Sequence, residues 1–382
     1  MNIVALKETA AGERRIGLTP AIVDKLVRLG MSVTLESGVG ASLHLADEAF
    51  EKVGASFGSD RAALLQDADV LVSVNKPTDD VISGLREGAV NVSFLDPFRS
   101  GETVRALADA GVSAFCMELI PRTSYAQKMD ALSSQASLAG YAAVIIAAER
   151  IDKSLPMMST PAGTIPPARV FVVGAGVAGL QAIATAKRLG ARVEAYDTRP
   201  VVKEQVQSLG ARFVEIDVGE TGQTEQGYAK ALTEEQLEMQ RQQMAKICAG
   251  ADIIVTTAQV FGRAAPKIIS ADMVAGMRPG AVIVDLAAST GGNVDGTEPG
   301  EEVLTGNGVL IVGLNNFPAE IARDASQMFA SNVYYLLEHA FDKEAGSLKL
   351  DTEDDVIAAA LLTHEGQIRD ERVRGAVLEG SK

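Results

Sequence analysis

The run Val170-Phe171-Val172-Val173-Gly174-Ala175-Gly176-Val177-Ala178-Gly179 comes closest to declaring a chemistry. Its three glycines follow an apolar stretch suited to a strand and precede a stretch, 180–189, suited to a helix. A second apolar run, 193–196, ends in Asp197, followed by Thr198 and Arg199. A strand, a glycine turn, a helix, a second strand and an acid, in that order, form the fingerprint of a dinucleotide site. Gly174 permits the tight turn, Gly176 lets a pyrophosphate approach the backbone, and Gly179 lets the helix pack on the sheet. The helix N-terminus offers free N–H groups and the positive end of its dipole. A carboxylate at Asp197 accepts hydrogen bonds from a ribose and repels a 2′-phosphate, which favours NAD(H) over NADP(H). Arg199 works in the other direction, because a guanidinium can accommodate a 2′-phosphate.

A second polar cluster is Arg122-Thr123-Ser124-Tyr125-Ala126-Gln127-Lys128-Met129-Asp130-Ala131-Leu132-Ser133-Ser134-Gln135. On one continuous helix Gln127, Asp130 and Ser133 share a face. Such a stripe could hold a carboxamide and a ribose by hydrogen bonds. The same residues could equally be a capped, solvated first turn, with Ser124 as cap and Gln127 three residues on. Acid–base catalysis beside a nicotinamide usually falls to histidine or lysine. The chain has only His44, His339 and His364. Lys76 and Asp96 stand at the ends of predicted strands. They are either acid–base groups or a solvated lysine and a turn residue before Pro97.

The elements that must position these residues alternate between strand and helix. Strands are predicted over 2–6, 32–36, 70–74, 90–95 and 113–117, with helices over 21–29 and 104–110 between them. A second series has strands over 170–173, 192–196, 212–216, 252–256, 281–286 and 309–312, with helices over 179–189, 200–209, 234–249 and 270–276. Such spacing indicates βαβ units and parallel sheets. The segment 155–167, with prolines at 156, 161, 166 and 167, reads as a loop. Unbroken helices over 125–151 and 318–341 bridge the halves. The tail reads as a strand over 357–363, a turn at His364-Glu365-Gly366 and a short return. The expected fold is α/β: two Rossmann-like, doubly wound parallel-sheet domains joined by long helices, with a cleft between them. The first domain would be discontinuous, 1–132 plus 318–382, and the second would span 133–317.

Composition narrows the function. The length, 382 residues, suits two domains. Lys and Arg number 35 against 50 Asp and Glu, a formal charge of −15, which argues against nucleic acid as a partner. Two cysteines, Cys116 and Cys248, make neither a disulfide framework nor a zinc site, and no metal is expected. The apolar run 3–6 is too short for a signal peptide. The longest apolar stretch, 138–148, suits a buried helix better than a membrane span. The expected location is cytoplasmic.

The runs MELIPRTSYAQKMDALSSQASLAGY (117–141), GTIPPARVFVVGAGVAGLQAIATAKRLGARVEAYDTR (163–199), GYAK (227–230) and DLAASTGGN (285–293), with the opening KETAAGERRIGLTP, resemble the NAD(H)-binding alpha subunit (domain I) of proton-translocating NAD(P) transhydrogenase. That family shares its fold with alanine dehydrogenase and saccharopine dehydrogenases. The resemblance implies the Si-specific, proton-translocating enzyme type, with direct hydride transfer between NAD(H) here and NADP(H) on a partner subunit. A membrane-embedded proton-channel subunit would couple the step to proton translocation. It further implies a homodimer associated peripherally with the cytoplasmic membrane through its partners.

By motif, the resemblance assigns Arg122, Gln127, Asp130 and Ser133 to the nicotinamide end, with Ser124 and Ser134 beside them. Val172, Val173, Gly174 and Ala175 would pass by the pyrophosphate, with Gly176 and Gly179 completing the turn, and Asp197, Thr198 and Arg199 would meet the adenosine ribose. Gly227 and Tyr228 would belong to a loop closing over the nucleotide. Gln240 and Gln259 would make further contacts, and Tyr141 falls in a motif position. Direct transfer between two nicotinamides moves a hydride and no net proton, so it needs no general acid. Two other readings stay open: a free-standing amino-acid dehydrogenase using Lys76 and Asp96, and a non-enzymatic NAD-binding protein.

Overall fold

Neighbouring residues along the first strands enter two different cores. Ile3, Ala5, Val70, Val72 and Phe115 belong to one, while Val4, Leu71, Ala114 and Cys116 belong to the other. This period-two alternation, apolar on both faces, marks a sheet covered on both sides. In the computed structural model, residues 1–216, 234–259 and 261–379 are described. They form two units, one of Met1–Gln135 with Pro318–Lys382, the other of Ala136–Phe317.

The first unit begins with β1 (Asn2–Ala5), α1 (Pro20–Arg28), β2 (Ser32–Glu36), α2 (Asp47–Glu51) and β3 (Ser56–Gly58). It continues through α3 (Arg61–Gln66), β4 (Val70–Val72), α4 (Asp79–Gly84), β5 (Val90–Ser93), α5 (Gly101–Asp109) and β6 (Ser113–Cys116). The order β6-β5-β4-β1-β2-β3 is parallel throughout. The chain moves outward from β1 to β3, then returns to place β4 on the other side of β1, the doubly wound pattern.

Helix α6 (Ala131–Arg150) begins in the first unit and ends in the second. Among the described residues it is the one helix long and apolar enough to cross a membrane, by length and composition. Ala142, Ala143, Val144 and Ala147 on it are buried.

The second unit carries β7 (Met158–Thr160), β8 (Gly163–Ile165), β9 (Arg169–Val173), α7 (Val177–Arg188), β10 (Arg192–Tyr196), α8 (Lys203–Ser208) and β11 (Arg212–Phe213). After it come α9 (Glu234–Gly250), β12 (Ile253–Thr256), α10 (Ala271–Ala275), β13 (Val282–Asp285), β14 (Glu302–Leu304) and β15 (Leu310–Val312). The sheet order is β11-β10-β9-β12-β13-β15-β14, and only β14 is antiparallel to its neighbour. Phe171, Val173, Ile254, Ile283 and Ile311 fill the core on one face.

The chain then re-enters the first unit through α11 (Ala322–Ala340), a short ribbon of β16 (Phe341–Asp342) and β17 (Ser347–Leu348), α12 (Asp355–Ala360), β18 (Leu361–His364), β19 (Gln367–Ile368) and α13 (Glu371–Glu379). Strand β18 pairs antiparallel with β6 and β19 with β18, so the tail extends the first sheet.

Three sequence expectations need correction. The 155–167 loop contains a two-stranded hairpin, with Met158 paired to Ile165 and Thr160 to Gly163. Residues 357–360 are helical, not extended, because the Asp354 carboxylate caps α12 by accepting from the N–H groups of Val356 and Ile357. The predicted helix over 125–151 is broken at Asp130, where ψ is 88°. A 3-10 turn, Ala126–Met129, precedes the break.

Gly140 brings α6 against the start of α7. A Cβ there would lie 2.1 Å from the Ala178 carbonyl oxygen. Backbone cannot yield as a flexible side chain does, so Gly140→Ala should cost about 2 kcal/mol. The expected outcome is a lower melting temperature, checked by thermal unfolding against an alanine substitution at Gly375 of α13, where a Cβ meets nothing within 4 Å.

Candidate functional site

The glycine turn sits at the carboxyl end of β9, which lies between β10 and β12, where the strand order reverses. This is the place open α/β sheets use for ligands. Gly174 has φ +95°, and a Cβ on it would meet Thr257 Oγ1 at 2.5 Å. A Cβ on Gly179 would lie 1.8 Å from the Gly174 carbonyl oxygen. Both positions therefore exclude any side chain. A Cβ on Gly176 meets nothing within 4 Å, so the space over the turn is open to an approaching diphosphate. Val172, Val173 and Ala175 are buried and support the turn from below.

Asp197, just past β10, is bonded on both oxygens. Its Oδ2 accepts from the Ala175 N–H at 2.7 Å and from Arg199 Nη2 at 2.9 Å. Its Oδ1 accepts from the Arg199 N–H at 2.8 Å and from Arg199 Nε at 3.0 Å. Partial burial works to raise this carboxyl. The Arg199 guanidinium and the two backbone N–H groups outweigh it and hold the carboxyl below the usual carboxylate range. Thr198 and the Arg199 side chain are exposed. The structure thus joins two residues that the sequence set in opposition: the guanidinium is already committed to the acid. The residues present fit an adenosine ribose and a diphosphate.

Gln240 on α9 donates from Nε2 to Tyr196 Oη at 2.8 Å, beside Asp197. Gln259 is exposed and donates to the Leu286 carbonyl at 2.8 Å. Gly227 and Tyr228 lie outside the described residues. Tyr141 is 40% exposed and no core residue.

The polar cluster in the first unit is arranged otherwise than one helix face. Asp130 caps α6, accepting from the Ser133 N–H at 2.8 Å and from Ser133 Oγ at 2.6 Å. Ser124 makes no cap, while Thr123 Oγ1 accepts from the Ala126 N–H at 3.3 Å. Gln127 lies in the 3-10 turn, off the α6 face that bears Ser133. Aspartate prefers a cap to a helix interior, because its carboxylate competes for backbone N–H groups. The side chains of Arg122 and Gln127 are exposed, with no hydrogen bond among the described residues. Ser134 Oγ donates to Asn332 Oδ1 at 2.7 Å, and Asn332 Nδ2 donates to the Lys128 carbonyl at 2.8 Å.

Lys76 Nζ donates to Ser100 Oγ at 2.6 Å. Asp96 is a turn residue with φ +45° whose carbonyl accepts from the N–H groups of Arg99 and Ser100. Its N–H donates at 2.7 Å to Glu118, whose carboxyl is pushed up by burial. Among the described residues no group of three His, Cys, Asp or Glu could hold a metal ion.

Sequence reasoning missed Asp285. This fully buried carboxylate accepts from Thr256 Oγ1, Thr297 Oγ1 and the N–H groups of Ala287, Asn293 and Val294. Asn293 in turn donates to the carbonyls of Ala258 and Pro266 and accepts from the Ala258 N–H. One acid therefore shapes the 285–297 loop and, through Asn293, the loop bearing Gln259. An aspartate at the end of a predicted parallel strand, before two glycines, was the available signal.

Comparison with known proteins adds to this geometry. The model for "Alanine dehydrogenase/PNT, N-terminal domain" matches residues 4–139, and that for "Alanine dehydrogenase/PNT, C-terminal domain" matches 143–371. The first portion of the NAD(P) transhydrogenase alpha subunit of Rhodospirillum rubrum is 44% identical over 375 residues, covering 96% of this chain and 97% of that one. The chain belongs to the NAD(P) transhydrogenase alpha-subunit family. The crystal structure of transhydrogenase from Sinorhizobium meliloti agrees, with a TM-score of 0.87 at 44% identity over 96% of this chain and 100% of that one. An L-alanine dehydrogenase structure, 22% identical with a TM-score of 0.80 over 99% of both chains, shares the fold.

For this family member, Asp285→Ala should strip five donors of their acceptor and cost on the order of 3 kcal/mol. A lowered urea midpoint with an unchanged slope would show it.

Proposed function

We propose that the chain is the NAD(H)-binding subunit of a proton-translocating transhydrogenase. In this reading hydride passes directly between NADH held here and NADP+ held on a partner subunit. A membrane-embedded proton-channel subunit couples that step to proton movement, and the chain works as a homodimer at the cytoplasmic face of the membrane. One observation carries the reading of the nucleotide: the Asp197 carboxylate, bonded to the Ala175 N–H at the glycine turn. An acid there accepts ribose hydroxyls and repels a 2′-phosphate. The family to which the chain belongs supports the rest.

Bound NADH supplies the hydride. The chain's own residues hold and orient. Gly174, Gly176 and Gly179 leave room for the diphosphate at the N-terminus of α7. Asp197, Thr198 and Arg199 take the adenosine ribose, with Tyr196 and Gln240 behind them. Arg122 and Gln127 orient the carboxamide and Asp130, Ser133 and Ser134 the ribose at the nicotinamide end. NADH + NADP+ → NAD+ + NADPH releases no proton, so these residues need geometry, not a titrating acid.

Asp197→Ala should weaken NADH binding about tenfold or more, as expected for a lost hydrogen bond to a charged group, and leave NADPH binding nearly unchanged. Titration by NADH fluorescence checks both. The folded-state carboxyl lies below the ordinary value, so it stays ionised as pH falls through that value. NADH affinity should accordingly be flat from about pH 8 to pH 5 and fail only in stronger acid.

The chain mixed with an NADP(H)-binding transhydrogenase component should transfer hydride between the two nucleotides. Alanine- or lysine-dependent reduction of NAD by the chain alone would instead establish the amino-acid dehydrogenase reading.

A further inference from the structure

His339 stands in the last turn of α11 with both ring nitrogens engaged. Nδ1 lies 3.0 Å from Tyr125 Oη, and the two rings meet edge-on with centroids 5.4 Å apart. Nε2 lies 3.0 Å from Asp354 Oδ2. The other oxygen of Asp354 accepts from the N–H groups of Val356 and Ile357. A carboxylate only accepts, so a neutral His339 must carry its proton on Nε2. Nδ1 is then an acceptor, and the Tyr125 hydroxyl donates to it. Asp354 thereby sets the tautomer that receives Tyr125.

Tyr125 is 67% exposed, so burial does little to hold it. In sequence it lies between Arg122 and Gln127, two exposed side chains of the polar cluster. The far end of that segment is tied down by Asn332, which donates to the Lys128 carbonyl. Asn332 and His339 are two helical turns apart on α11 and share one face. Besides the burial of Ala126 and Met129 and the stacking of Lys128 over Tyr335, hydrogen bonds thus fasten the segment to α11 at two points, and His339 is the second.

We propose that Asp354, His339 and Tyr125 form a positioning relay that fixes the segment bearing Arg122 and Gln127. This rests on the reading of that segment as the nicotinamide end. None of the three is a catalytic residue; each acts through the next.

The test uses the full chain with Tyr125→Phe, His339→Gln and His339→Asn. Phenylalanine keeps the exposed ring and removes only the hydroxyl, so folding is preserved. Glutamine places an amide where Nε2 stood and abandons Tyr125; asparagine places one where Nδ1 stood and keeps an acceptor for it. Hydrogen exchange over 122–130 reads the relay without any nucleotide. Tyr125→Phe and His339→Gln should speed that exchange about fivefold, as the loss of one hydrogen bond would, while His339→Asn stays nearer the parent. With the NADP(H) component present, the first two should slow hydride transfer about tenfold through lost orientation, with NADH affinity held within about twofold. Unchanged exchange in Tyr125→Phe overturns the relay. Faster exchange with unchanged transfer overturns its role in the reaction. Absence of transfer in the parent chain overturns the nicotinamide reading instead, and the exchange result still decides the relay.

Discussion

Several backbone segments of the second unit meet where no side chain can stand. The start of α7 lies against Gly140 of α6, Gly179 lies under the Gly174 carbonyl, and Gly174 lies against Thr257. Thr257 Oγ1 closes the junction by donating toward the carbonyls of Val173 and Gly174. Everything proposed for the nucleotide depends on this close approach. It aims the α7 N-terminus over an open turn and fixes the distance from β9 to the acid at the end of β10. A single methyl group at 179 would separate helix from strand and move the amides that are to face the diphosphate.

Around that junction polar groups shape loops and apolar groups set layers. Asp285 gathers five donors at the end of β13, and Asn293 transmits the resulting loop shape to residues 258 and 266. In the first unit Asp130 serves α6 as a cap. One residue thus ends a turn with its backbone N–H, while its carboxylate starts a helix and fixes Ser133. This triple use follows from the physics of helix ends, where free N–H groups seek an acceptor and an acid supplies the best one.

Much of this was legible in the residues. The strand series, the turn at 174–179 and Asp197 could be placed because apolar periodicity and glycine spacing are local properties. Helix ends were less legible: the break at Asp130 and the helix at 355–360 depend on a carboxylate choosing among several nearby N–H groups. The 158–165 hairpin escaped because prolines hid its short pairing. The contacts of His339 were not legible for a different reason. His339 meets Tyr125 and Asp354, both outside its own helix.

By itself the sequence determined the fold class, the glycine turn and the acid that follows the next strand, because each follows from neighbouring residues and their spacing. Only the tertiary structure decided that Arg199 is committed to Asp197, that Gly140 is the partner of Ala178, and that Asn332 and His339 hold the segment around Tyr125. Those are contacts whose direction and distance are set by packing, most of them between residues remote in the chain. No local pattern carries that information.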